Sequence, residues 1–403
     1  MLIIYFNKAE KMRINTALLA LAIGAFAIGA TEFSPMGMLP YIADNIQVDI
    51  PSAGSIVVIY ALGVMIGAPI MTLLLVKRKP KVALVFLMSI FTVGNLLSAM
   101  SPDLVTLSIS RFITSLNHGA FFGLGAIVAA SVVPPGKQAS AIAAMFMGLT
   151  IANIGGVPLM TKLTQVMGWR EAFYLIAALG LLTIASLIWA LPNNLQGRDV
   201  NVKNELRILR RPQVMLGMLS TVLGASAMFT LYTYITPMLM NFINASDQMI
   251  TVMLVIIGVG FTIGNYLGGL FADKSLFGTL IIFFLMLALS MAIFPFIGTN
   301  AVGAGLGLLF WSIFSFGIVP PIQILVMNAA TGAQALASSV NIGAFNLGNA
   351  IGAAIGGGVL SYGYSYSMIS FMGTLVAVLG IAVILVIFRK KSDAKVETEI
   401  VCG

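Results

Sequence analysis

The chain has 403 residues, 59% of them hydrophobic and 8% charged, with a formal net charge of +8. A soluble domain carries about 25% Asp, Glu, Lys and Arg, so this composition excludes a soluble enzyme, a nucleic-acid-binding domain and a disordered chain. One cysteine, Cys402, and one histidine, His118, exclude a disulfide framework and any multi-ligand cysteine or histidine metal site, so neither metal nor cofactor is expected.

In chain order, residues 1–13 read as a short N-terminal tail with an apolar run ahead of Lys8–Arg13. The run is not a cleaved signal peptide: the first apolar span is too long, and no small-residue cleavage site follows a short apolar core. Met12-Arg13-Ile14-Asn15 makes Met12 an alternative start of translation. Twelve apolar runs then predict membrane-spanning helices, at roughly 15–40, 53–76, 82–100, 105–133, 138–161, 169–191, 213–242, 249–272, 278–297, 301–328, 335–360 and 366–388. The fold expected is an all-α membrane protein of two six-helix bundles, 14–191 and 213–388, joined by a linker at 192–212 and ending in a tail at 389–403. Within the linker, Asn204 to Arg211 reads either as a short basic helix on the inner leaflet or as plain solvated chain.

Loop charges fix the expected orientation. If the N-terminus is cytoplasmic, 18 of the 21 cations fall on the cytoplasmic side; Lys162 and Arg170 lie outside, and Arg111 lies within a span. Such a bias is the positive-inside pattern, and it places both termini in the cytoplasm. Trp169 and Trp189, near opposite ends of the sixth span, read as interfacial anchors.

The halves resemble each other at an offset of about 197 residues. Pro40 falls on Pro237, and Leu62-Gly63-Val64-Met65-Ile66-Gly67 falls on Val259-Gly260-Phe261-Thr262-Ile263-Gly264. An offset of 196 places Asn153 on Asn349 and Gly156 on Gly352. Parallel six-helix repeats of this kind are a transporter architecture with substrate bound near mid-membrane.

Several segments match a known family. Thr31-Glu32-Phe33 with Met36-Gly37-Met38-Leu39-Pro40, Ala61-Leu62-Gly63 with Gly67-Ala68-Pro69, His118-Gly119-Ala120-Phe121-Phe122-Gly123, and Gly168-Trp169-Arg170 resemble the major facilitator superfamily. The resemblance is to its twelve-span drug:proton antiporter branch, similar to sugar-, arabinose- and purine-nucleoside-efflux members, and spans residues 13–390. The superfamily's loop G-x-x-x-D-[RK]-x-G-[RK]-[RK] is degenerate between spans 2 and 3, where Val76 stands at the acid and Lys79 at the glycine; the second copy keeps Gly269, Asp273 and Lys274. The resemblance implies a gating role for those three residues. It also implies bending and sealing by the Gly148–Pro158 segment, Pro158 included. The cations Lys77–Lys81 either hold lipid phosphates or only set topology.

Ionisable groups inside a span are costly and functional by default. Glu32, Arg111 and His118 are the clear cases. Glu32 and Arg111 each lie eight residues from the outer end of their span, about 12 Å deep at 1.5 Å per residue. In the family, spans 1 and 4 line the central cavity, so the two are expected to meet as an ion pair, with His118 roughly 10 Å deeper on the same face. Burial opposes the charged form of Glu32 and a neighbouring guanidinium favours it, so protons taken up at Glu32 can drive export, with His118 as relay or substrate contact. The alternative is a permanent pair orienting two helices. Asn117, Gln323 and Asn346 are candidate substrate amides, with Asn153, Asn341 and Asn349 as further in-span amides. Phe33, Phe121, Tyr232 and Tyr234 are candidate stacking rings. Interhelical hydrogen bonding or packing is the alternative for all of these. Glycines 348, 352 and 356 read as a close-packing stripe, and Pro35, Pro69, Pro158 and Pro320-Pro321 as bends.

The expected function is proton-coupled efflux of a small solute, such as a sugar, nucleoside or drug, by alternating access in a bacterial inner membrane. The partners expected are the solute, protons and membrane lipids, with no nucleic acid, and the protein is expected to be a monomer rather than an enzyme. An uncoupled facilitator or importer is the runner-up. A non-transporting sensor is disfavoured because the tails and linker are too short for a sensory domain, and a primary pump because no G-x-x-x-x-G-K-[ST] loop is present.

Overall fold

The structure, a computed structural model, describes residues 15–134, 138–197 and 207–402. The expected tail 1–13 with Met12, Lys137, and linker residues 198–206 lie outside the described residues. Among the described residues, twelve helices are long and apolar enough to cross a membrane. They are α1 (Thr16–Asn45), α2 (Ile50–Leu75), α3 (Pro80–Ala99), α4 (Leu104–Ser131), α5 (Ala141–Met167), α6 (Trp169–Ala190), α7 (Pro212–Tyr232), α8 (Asp247–Lys274), α9 (Leu276–Ile297), α10 (Ala301–Ala329), α11 (Leu336–Ser361) and α12 (Tyr366–Arg389). Helical conformation continues beyond α12 to Cys402, where a tail was expected.

Polar residues at the turns start these helices. Asn15 accepts hydrogen bonds from Ala17 N and Leu18 N, Asp49 from Ser52 N, and Ser246, Ser275 and Asn300 cap α8, α9 and α10 in the same way. Asp103 and Thr106 form a capping box. The backbone and hydroxyl bonds from Thr106 hold the Asp103 carboxyl below the usual carboxylate range.

Five spans depart from simple helices of the expected bounds. α1 runs unbroken through Pro35 and Pro40 to Asn45, past the expected end near 40. α4 is interrupted at Leu116–Asn117, between Leu104–Ser115 and His118–Ser131. α7 stops at Tyr232; after Thr233-Tyr234 a short helix, Ile235–Ile243, follows, so the single span expected over 213–242 is two pieces. α10 is interrupted at Ile318, where Pro320 and Pro321 lack the N–H groups that a continuous helix would use. In α5 a π-helical turn at Ala152–Gly156 immediately precedes Pro158.

The two sets of six helices meet along two seams, α2 against α11 and α5 against α8. Missing side chains permit the close approach. A methyl group at Gly258 of α8 would strike the Asn153 carbonyl in the π-turn of α5, and one at Gly148 would strike Ala22 O of α1. Gly348, Gly352 and Gly356 bring α11 onto the backbone and Tyr234 side of α7, as the glycine stripe predicts. Trp189 is exposed, as an anchor would be, but Trp169 is 2% exposed. It packs edge-on against Phe173 and donates to Asn45 Oδ1 at 3.1 Å, so it ties α6 to α1 instead.

Candidate functional site: a central cavity with a buried acid

A cavity of about 940 Å³ lies between α1, α4 and α5 of the first set and α7, α8, α10 and α11 of the second. It runs from Glu32, Phe33 and His118, halfway along their helices, to Asp273, Met327 and Ala130 at the ends facing the linker. The opposite side is closed. There Tyr41 Oη donates to Asp247 Oδ1 at 2.6 Å, Gln165 Nε2 donates to Asp247 O at 2.9 Å, and Thr236 Oγ1 donates to Met36 O at 2.9 Å. Each of these bonds crosses between the two sets of helices.

At the inner end of the cavity, Glu32 is 3% exposed. Its Oε2 lies 3.8 Å from His118 Nε2, and its Oε1 has no hydrogen-bond partner. His118 Nδ1 faces the Tyr60 hydroxyl at 3.2 Å, and Phe122 covers the imidazole at 5.3 Å between centroids.

The direct Glu32–Arg111 ion pair expected from their equal depth is not formed. Arg111 Nη1 instead donates to Thr31 Oγ1 at 2.9 Å, and the Thr31 hydroxyl donates in turn to Asn95 Oδ1 at 2.6 Å. The guanidinium carbon lies 4.1 Å above the Tyr60 ring and 5.7 Å from the Phe173 ring. The reason is helical phase. Thr31 and Glu32 are adjacent, hence about 100° apart around α1, so the residue turned towards Arg111 is the threonine. The break at Leu116–Asn117 resets the face of α4, and Glu32 meets the histidine rather than the arginine.

The other candidates divide in the same way. Phe33, Gln323, Asn346, Gly269 and Asp273 line the cavity with Glu32 and His118. Phe33 stacks on Phe229 with centroids 6.2 Å apart. Asn346 Nδ2 donates to Ile342 O at 3.0 Å while its Oδ1 is buried and unpartnered. Arg111, Asn117, Phe121 and Tyr232 are buried outside the lining. Asn117 Nδ2 donates to Thr114 O, within its own helix. Phe121 packs over Gly24, and the next ring, Phe122, takes the cavity wall. Tyr232 sits in an aromatic cluster with Phe33, Phe261 and Trp311. Lys274 is exposed, 5.8 Å from the Phe271 ring. Pro158 is buried on α5 after the π-turn.

A polar row joins two of the in-span amides, Gln323 and Asn341, to hydroxyls that the sequence does not mark. Thr221 Oγ1 donates to Asn341 Oδ1 at 2.6 Å, Asn341 Nδ2 to Gln323 Oε1 at 2.6 Å, and Gln323 Nε2 to Ser338 Oγ at 2.7 Å. All four side chains line the cavity and they tie α7, α10 and α11 together. Facing them are the rings of Phe33, Phe122 and Phe146. Tyr60, Thr221 and Ser338 carry no sequence signal: serine and threonine hydroxyls are common in membrane helices and ordinarily bond their own backbone, and a lone tyrosine in an apolar run reads as packing.

The chain as a whole has relatives. The sequence profile of the Major Facilitator Superfamily matches residues 21–340. The inner membrane transport protein YdhP of Escherichia coli (strain K12) is 56% identical over 382 residues, 95% of this chain and 98% of that protein. The MFS-type transporter YfhI of Bacillus subtilis (strain 168) is 36% identical over 375 residues, 93% of this chain and 94% of that protein. The crystal structure of a point mutant of the nucleoside transporter NupG superposes with a TM-score of 0.76 at 13% identity, covering 92% of this chain and 100% of that one. At that identity the likeness speaks for the fold.

Proposed function

The chain belongs to the Major Facilitator Superfamily, whose members carry small solutes across membranes, and from that premise we propose that it is a proton-coupled exporter of the bacterial inner membrane. The membrane follows the name of the relative YdhP. The side of the linker and termini is the cytoplasm, by the loop charges, so the cavity is in its inward-facing state. The protein works as a monomer with lipid around its apolar belt.

The observation that carries the coupling is Glu32: among the described residues it is the buried acid, it stands on the cavity wall, and one of its oxygens is unpartnered. An isolated buried carboxylate is costly. In the inward state it loses its proton to water entering the cavity. In the outward state it is reached by protons from outside. Arg111 is held behind it by Thr31 and Tyr60, as a fixed positive charge near the acid. Protonation from outside and release inside then drive the solute the other way. Solute binds between the rings and the amide–hydroxyl row, with Gln323 and Asn346 supplying hydrogen bonds. At the mouth, Gly269, Asp273 and Lys274 close the cytoplasmic side in the outward state, and the π-turn with Pro158 is the place where α5 bends.

Proteoliposomes with an imposed pH gradient, screened with sugars, nucleosides and drugs, test the reading. Flux of one compound coupled to proton movement is expected; flux independent of the gradient favours the facilitator instead.

A further inference from the structure

Tyr60 of α2 touches both pieces of the broken α4. Its ring lies under the Arg111 guanidinium at 4.1 Å, and its hydroxyl stands 3.2 Å from His118 Nδ1. Tyr60 is 1% exposed, and among the described residues His118 is the hydrogen-bond partner of its oxygen. The opposite nitrogen of the same imidazole, Nε2, faces Glu32 at 3.8 Å.

We propose that Tyr60 is a positioning residue of the proton site: its hydroxyl donates to His118 Nδ1 and thereby holds the proton of the neutral imidazole on Nε2, facing Glu32. The proposal rests on the reading of Glu32 as the coupling acid. The tautomer of a histidine is set by the bond that its other nitrogen makes. If the ring proton sat on Nδ1, two contacts would turn unfavourable together. The Nε2 lone pair would face the lone pairs of an ionised Glu32, and the Tyr60 proton would be left without an acceptor in a buried site. With Glu32 protonated the same pattern holds. The Nε2 proton faces the carbonyl oxygen of the acid, the acid O–H turns to the cavity that Glu32 lines, and Tyr60 keeps Nδ1 as its acceptor. The trio holds one proton more, the one added to Glu32, and the imidazole is neutral in both states. Tyr60 thus fixes the imidazole in both states of Glu32 while its ring carries Arg111.

The charged and titratable groups around the imidazole are few. They are Glu32 from α1, Tyr60 from α2 and Arg111 from the other piece of α4. Of the other helices packed against this piece of α4, α3 and α5 bring only Lys81 and Lys162, at their ends, and α11 brings none among its described residues.

His118 is the single histidine of the 403 residues, so labelling with 15N-histidine gives one pair of ring-nitrogen signals. Solid-state NMR of the full chain in lipid bilayers, purified without a polyhistidine tag, reads the tautomer directly. At neutral pH the wild type is expected to show a protonated Nε2 and an unprotonated, hydrogen-bonded Nδ1. Tyr60→Phe keeps the ring under Arg111 and removes only the hydroxyl. It is expected to shift the ratio towards the Nδ1–H form about fivefold, the equivalent of ~1 kcal/mol. A wild type with its proton on Nδ1, or a Tyr60→Phe spectrum with unchanged shifts and ratio, overturns the proposal. The measurement needs neither cargo nor gradient. Should Glu32→Gln keep full gradient-driven transport while the NMR result is as expected, the coupling role falls and the Tyr60 assignment stands.

Discussion

Tyr41 on α1 and Asp247 at the start of α8 are joined by a 2.6 Å hydrogen bond across the closed side of the cavity, 206 residues apart in sequence. Gln165 of α5 ties into the same point, with Nε2 3.3 Å from Tyr41 Oη and Oε1 accepting from Thr251 at 3.3 Å. Opening that side requires the two of these that cross between the sets, Tyr41–Asp247 and Gln165–Thr251, to break.

Tyr41→Phe deletes two of these hydrogen bonds, of which the bond to Asp247 crosses between the two sets, and a hydrogen bond at an exposed site is worth about 1 kcal/mol net, a fivefold change in a two-state ratio. The variant is expected to favour the state open on that side. The check is maleimide labelling of Thr161→Cys in a Cys402→Ser background: Thr161 is buried beside Gly37, and it should label faster from outside when Tyr41 is changed.

Glu32→Gln keeps the shape of the side chain and removes the titratable group. The gradient-driven part of solute flux is expected to vanish while solute exchange without a gradient persists. Proton-driven flux at the wild-type rate in Glu32→Gln proteoliposomes would contradict the coupling role.

The seam between α5 and α8 is set by glycine. Gly258→Val would push a side chain into the Asn153 carbonyl, and overpacking of this kind costs ~1–3 kcal/mol. Gly155, in the same π-turn, has nothing within 4 Å of an added methyl group. Gly155→Ala should therefore leave the thermal midpoint in detergent nearly unchanged while Gly258→Val lowers it.

Asn341 is the middle of the polar row. Asn341→Leu leaves Thr221 and Gln323 without their shared partner, at a cost of roughly 0.6–2 kcal/mol inside a membrane bundle. Under the proposed reading the cavity wall then grips solute less well. KM should rise more than maximal rate falls, and a KM equal to wild type would remove the row from the binding site.

Much of the architecture is legible in the sequence because a span is a bulk property: about twenty apolar residues announce themselves whatever their order. The cavity's inner end is legible only in part, because it depends on phase. Burial of Glu32, Arg111 and His118 follows from their place in apolar runs, yet which of them touch is decided by one-residue steps of 100° and by the break at Leu116–Asn117. The same step separates Phe121, buried on Gly24, from Phe122 on the cavity wall. Tyr60 carries no mark in the sequence, since a lone tyrosine in an apolar run has the pattern of packing, and only the fold brings its hydroxyl to 3.2 Å from His118.

The buried acid, imidazole and guanidinium all belong to α1 and α4, whereas the row Thr221–Asn341–Gln323–Ser338 belongs to α7, α10 and α11. Under the proposed reading, the engine of proton coupling thus sits in the first set of six helices and the polar side of the solute lock in the second. Exchanging α7–α12 for those of a relative with a different cargo would refit the lock and leave the engine in place, which is a route by which one scaffold can be turned to many solutes.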